Sequence, residues 1–157
     1  MIHLRWAKAK DGWLPLALPW PSVVDTVGVY VIWHEGNPSR VVRIGHGRIS
    51  ECLHYHQEDP EVLAYSGFGT LRVTWAAVPP DQIEGVERYL VEHWKPLVVD
   101  RPPKVLPIGV NSPFAASGIE SGEDCLERLA QLHVLIPRPG RLGSRCELVV
   151  SPVKNSL

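Results

Sequence analysis

Apolar positions in this chain gather into a few short runs. Val29–Trp33 is rich in β-formers, Arg40–Ile44 has the same character, and the turn-rich HEGNPS lies between them. The pair predicts an antiparallel hairpin with a connection longer than the two-residue type. Gly28 opens its first strand and Gly45 closes its second. Thr70–Val78 (TLRVTWAAV) predicts a third strand, stopped by Pro79–Pro80. ISECLHYHQ, residues 49–57, suits a helix that ends near Asp59–Pro60. PEVLAYSG adds a second short helix. Asp81–His93 predicts a longer one, with Asp81 as N-cap, Glu84 as its capping partner and Pro96 just beyond the end.

The remaining stretches carry weaker patterns. WLPLALPWPS cannot form a regular helix, so residues 1–27 read as an apolar lead-in packed on a body, with Trp13 and Trp20 as packing residues. Residues 100–113, DRPPKVLPIGVNSP, are laced with proline. The 114–157 extension begins loop-like, then offers a helix at Cys125–Leu135 and a short strand or extended arm at CELVVSPV. There is no internal repeat.

Helical projection exposes two polar residues in apolar company. At about 100° per residue, Ile83, Val86, Leu90, Val91 and Trp94 share one face, and Glu87 falls inside it. A carboxylate there is expensive unless it is paired or binds a cation. Arg43 and Arg48 are candidate partners; a cleft or a metal ion is the alternative. In the first helix Ile49, Cys52, Leu53 and His56 share a face, while Glu51 and His54 point away. His56 therefore faces inward, either as a hydrogen-bonded core histidine or as a functional group.

The glycines of Gly45-His46-Gly47 follow a strand, but they match neither GxGxxG nor GxxxxGK[ST], which disfavours a P-loop. Cys52, Cys125 and Cys146 are odd in number with no CxxC pair, which argues against a disulfide framework or a zinc ribbon. The chain has 157 residues, enough for one domain with a real core. Its net charge of −1 excludes a strongly basic protein but not a basic patch. Charge is uneven: net +3 over residues 1–50, −6 over 51–92 and +2 over 93–157. The polar opening MIHLRWAKAKDGW does not resemble a signal peptide, and no apolar run approaches the roughly 20 residues of a membrane span. A soluble protein of a reducing compartment, by default the cytoplasm, is expected.

Gly28-Val29-Tyr30, followed after a turn by Arg43-Ile44-Gly45, resembles the paired motif of the GIY-YIG nuclease superfamily. The helix that follows resembles the family's glycine-to-arginine-to-histidine helix. Glu87 matches the family's metal-binding glutamate and Asn111, in PIGVNSP, its late asparagine. The likeness spans residues 28 to about 113. It implies a mixed α/β (α+β) fold, a small three-stranded antiparallel sheet flanked by helices, with 114–157 as an appendage. It also implies hydrolysis of DNA phosphodiester bonds with one Mg²⁺ or Mn²⁺ ion at Glu87, a hard cation suited to a carboxylate oxygen. Tyr30 would orient or activate water, an arginine on the first helix would stabilise the pentavalent state, His56 would stand near the nucleophile and Asn111 would order the site.

Two positions depart from the family pattern. Arg43 stands where the second motif has tyrosine, and Cys52 stands where the arginine is expected. Cysteine lacks the forked, permanently charged donors of arginine. Arg43 and Arg48 are the two residues from which that charge can come instead. The alternative function is a catalytically impaired module that binds nucleic acid or protein. A zinc site built from Cys52, His56 and Glu87 is a third. DNA is the expected partner of an active enzyme. The 114–157 extension is a candidate for covering the core, binding a protein partner or mediating assembly.

Overall fold

Four strands and three helices make up the regular structure of the described residues, 1–10, 12–18 and 26–114, in the computed structural model. The strands are β1 (Leu14–Pro15), β2 (Val27–His34), β3 (Arg40–Arg48) and β4 (Leu71–Ala77). The helices are α1 (Ile49–Glu58), α2 (Pro60–Leu63) and α3 (Ile83–Trp94), with a 3-10 turn at Ala64–Phe68. The sheet is antiparallel in the order β1-β4-β2-β3, so the fold is mixed α+β. The expected three strands are all present. The fourth, Leu14–Pro15, comes from the apolar lead-in and pairs with β4. Trp20, the helix expected at Cys125–Leu135 and the strand expected at CELVVSPV lie outside the described residues.

Alternation along β2 lets one strand serve two cores. Tyr30 and Ile32 pack with Ile49, Leu53, Val62 and Tyr65 on one face. Val29, Val31 and Trp33 pack with Val86, Leu90 and Trp94 of α3 on the other. Burial on both faces explains why β2 is an unbroken apolar run rather than a polar–apolar alternation.

β3 runs further than its hydrophobic pattern suggests. Gly45 does not close it; pairing continues through His46 and Gly47 to Arg48, opposite Val29, Gly28 and Val27. The partner strand supplies the ladder, which the glycine content conceals. A bulge lies in this pair: Trp33 faces Val41 while Ile32 faces Arg43. A one-residue slip moves every later side chain to the other face. Arg43 thus shares the face of Ile32 and Tyr30, and His46, opposite Val29, shares the face of α3. Beside the bulge, Leu97 N donates to Val41 O (3.0 Å) and Val98 N to Val42 O (2.8 Å). That short edge pairing brings the following Asp100 to Arg43.

Helix ends follow local chemistry with one correction. Asp81 does not cap α3; Gln82 occupies the N-cap with no side-chain hydrogen bond, held in a turn by its N–H to Pro79 O at 3.0 Å. At the other end Lys95 takes the left-handed conformation before Pro96. No helix among the described residues is long and apolar enough to cross a membrane.

Candidate active site

Tyr30 is the centre of the buried polar residues. It projects from the middle of β2 into the core under α1 and has no exposed surface. Gly45, directly opposite on β3, adds no side chain beside it. Its hydroxyl lies 2.7 Å from His56 Nε2, which the last turn of α1 turns inward as the helical spacing requires. His56 Nδ1 in turn lies 3.2 Å from Asp59 Oδ2. Arg43 also hydrogen-bonds Tyr30 and forms a buried ion pair with Asp100.

The electrostatics of the group follow from burial first. Burial raises the Tyr30 phenol above its ordinary range; Arg43 opposes this by charge and hydrogen bond, while Glu87 and Asp100 reinforce it. The phenol is neutral at neutral pH. Burial also works against the Arg43 charge, but the Tyr30 oxygen and the Asp100 carboxylate outweigh it and hold the guanidinium above its usual range. Asp100 is raised by burial, pulled back by Arg43 and pushed up again by Glu87 and Glu61.

Glu87 lies on the α3 side of the sheet, and its charge acts on Tyr30 and Asp100. It is fully buried, as the helical projection expects, and His46 Nδ1 lies 2.7 Å from its Oε2. Neither Arg43 nor Arg48 is its partner in that contact. Glu87 Oε1 and Asp100 Oδ1 are buried with no hydrogen-bond partner among the described residues. An orphaned carboxylate oxygen in a dry site is the kind of donor that a hard divalent cation takes, so Glu87 fits such an ion by one oxygen.

Other expected site residues lie elsewhere. Arg48, at the end of β3, is half exposed and pairs with Glu51 at 3.4 Å. Asn111 holds the N-terminal segment: its Oδ1 accepts from Leu4 N at 2.6 Å and its Nδ2 donates to Leu4 O at 3.0 Å. Cys52 is packed in the core with Leu53, with Sγ 3.8 Å from His46 O. The zinc reading fails on geometry: no three His, Cys, Asp or Glu side chains among the described residues are grouped to share a metal ion. His56 faces Tyr30 and Asp59, whereas Glu87 faces His46.

Three participants were invisible to sequence patterning. His46 sits between two glycines, and only the continued β3 ladder reveals which face it takes. Asp59 reads as a helix boundary, which it is, but the turn before Pro60 also directs its carboxylate back at His56. Asp100 lies in the proline-laced segment and carries no periodic signal. The fold and site define a mixed α+β domain with a buried tyrosine–histidine–carboxylate chain beside an arginine and a glutamate. No family model, curated protein or solved structure matches the chain.

Proposed function

We propose that this domain is a GIY-YIG-like, metal-dependent endonuclease that hydrolyses DNA phosphodiester bonds as a soluble cytoplasmic protein. The carrying observation is the surroundings of Tyr30: one phenol hydrogen-bonded by Arg43, 2.7 Å from His56 Nε2, and within the field of Glu87. In this reading Tyr30 orients the attacking water and takes its proton. Arg43 supplies the fixed positive charge that the family places on the first helix. Its planar donors suit a phosphate, and it also favours negative charge on the Tyr30 oxygen. Glu87 Oε1 is the oxygen that would hold one Mg²⁺ or Mn²⁺ ion, with His46 restraining the other oxygen of the same carboxylate. Such an ion, when bound, stabilises charge on the transferring phosphate and its leaving oxygen.

Complete burial of Tyr30 and Glu87 favours a second reading, a catalytically impaired module that binds nucleic acid or protein. A metal-titrated cleavage assay on duplex DNA, single-stranded DNA and RNA separates the two. Metal-dependent nicking that Glu87→Gln abolishes supports the enzyme. Salt-sensitive binding without turnover supports the binding module.

A further inference from the structure

Asp59 joins two structures through one carboxylate. Its Oδ1 accepts the Glu61 N–H at 3.0 Å and so caps α2, whose first residue is Pro60. Its Oδ2 faces His56 Nδ1 at 3.2 Å, and His56 Nε2 faces the Tyr30 hydroxyl at 2.7 Å. Tyr30, His56 and Asp59 are each at most 2% exposed. We infer that Asp59 is a positioning residue that keeps the proton of His56 on Nδ1, leaving Nε2 as the acceptor for the phenolic proton of Tyr30. The inference rests on the reading of Tyr30 as the group that activates water.

The chemistry of the three groups supports that order. An ionised carboxylate only accepts, so the ring nitrogen it faces carries the proton. In a neutral imidazole the other nitrogen is then an acceptor. Burial holds the Tyr30 phenol above its ordinary range, so the phenol does not ionise alone at neutral pH. A coupled transfer removes that obstacle. As the water oxygen attacks phosphorus, the water proton passes to the Tyr30 oxygen and the original Tyr30 proton passes to Nε2. The bond from phosphorus to the leaving oxygen breaks, and that oxygen takes a proton from solvent. The resulting imidazolium is held by the Asp59 carboxylate and later returns its extra proton to solvent. Asp59 itself stays ionised throughout, the role of the third member of a serine–histidine–aspartate triad.

Asp59→Asn separates positioning from capping. Asparagine is as good an N-cap as aspartate, so α2 and the melting temperature are retained. Its amide can donate to Nδ1, which reverses the tautomer. The test is nitrogen-15 NMR of His56 in the full chain, at a pH where the ring is neutral, beside single-turnover cleavage. The expected wild-type spectrum has a protonated Nδ1 and a bare Nε2. In Asp59→Asn the proton moves to Nε2, and the rate falls by roughly 10²–10⁴-fold, as in triads that lose this carboxylate. A wild-type ring protonated on Nε2 alone, or an Asp59→Asn protein with unchanged tautomer and rate, overturns the inference. Tautomer reversal in a protein that cleaves nothing removes the nuclease reading and leaves the Asp59 assignment standing.

Discussion

Arg43 is a buried charge held by two partners on different elements. It is buried between the Tyr30 hydroxyl and the Asp100 carboxylate, and either partner alone would be left with an unmatched charge or dipole. Removing one member of a buried ion pair costs about 3–5 kcal/mol, because the other charge stays buried. Arg43→Met is expected to lose that much at neutral pH. The pH dependence has a definite sign. Asp100 is already raised in the folded state, so folded protein holds this proton to higher pH than unfolded protein. Stability therefore falls as pH rises from the ordinary carboxylate range through the raised folded value. Without Arg43 the carboxyl rises further, and the fall becomes steeper and extends to higher pH. Urea denaturation between about pH 4 and pH 8 checks this; parallel profiles for wild type and Arg43→Met would count against the pairing. Helical projection places Glu87 in an apolar face. It does not place Arg43 beside Tyr30, because the β3 bulge decides which face Arg43 occupies.

At the level of elements, runs of β-forming residues and the 3.6-residue period carry most of the fold. β2, β3 and β4 are legible as such runs between turn residues, and α1 and α3 because each buries one helical face. Features that depend on a neighbour are not: the extension of β3 past Gly45, the bulge, the Leu97–Val98 edge pairing and the two-residue β1. Gly28 illustrates the difference. It reads as a motif glycine, but its physical reason is the close approach of β4. A Cβ at this position would lie 2.0 Å from Ala76 O, a backbone atom. Gly28→Ala must push β2 and β4 apart next to Tyr30, and it is expected to cost at least the roughly 1–3 kcal/mol of overpacked cores. Thermal denaturation measures the loss. An unchanged melting temperature would mean that the strands accommodate a methyl group at no cost.

For the molecule as a whole, the N-terminal lead-in belongs to the fold. Ile2 bridges to Val110, Ala7 N donates to Trp75 O at 2.8 Å, and Trp13 meets Trp33 edge-on with centroids 5.0 Å apart. Asn111 fastens this segment through both backbone groups of Leu4. Asn111→Ala leaves those groups without their partner and is expected to cost about 1–3 kcal/mol. The cleavage rate of the folded variant should be unchanged, because Asn111 acts on Leu4 and not on Tyr30. A rate loss with unaltered stability would instead assign Asn111 to the chemistry, as the family resemblance implies.

If Tyr30, Arg43 and Glu87 form one hydrolytic site, as proposed, the protein nicks supercoiled DNA. Wild type and Glu87→Gln are compared at saturating Mg²⁺ and Mn²⁺, with folding of both verified by circular dichroism. Metal-dependent nicking by wild type is expected, with a loss of at least about 10²-fold in Glu87→Gln, the scale of a lost transition-state stabiliser. Equal rates for the two proteins, or intact DNA with folded wild type under every metal condition, would contradict it.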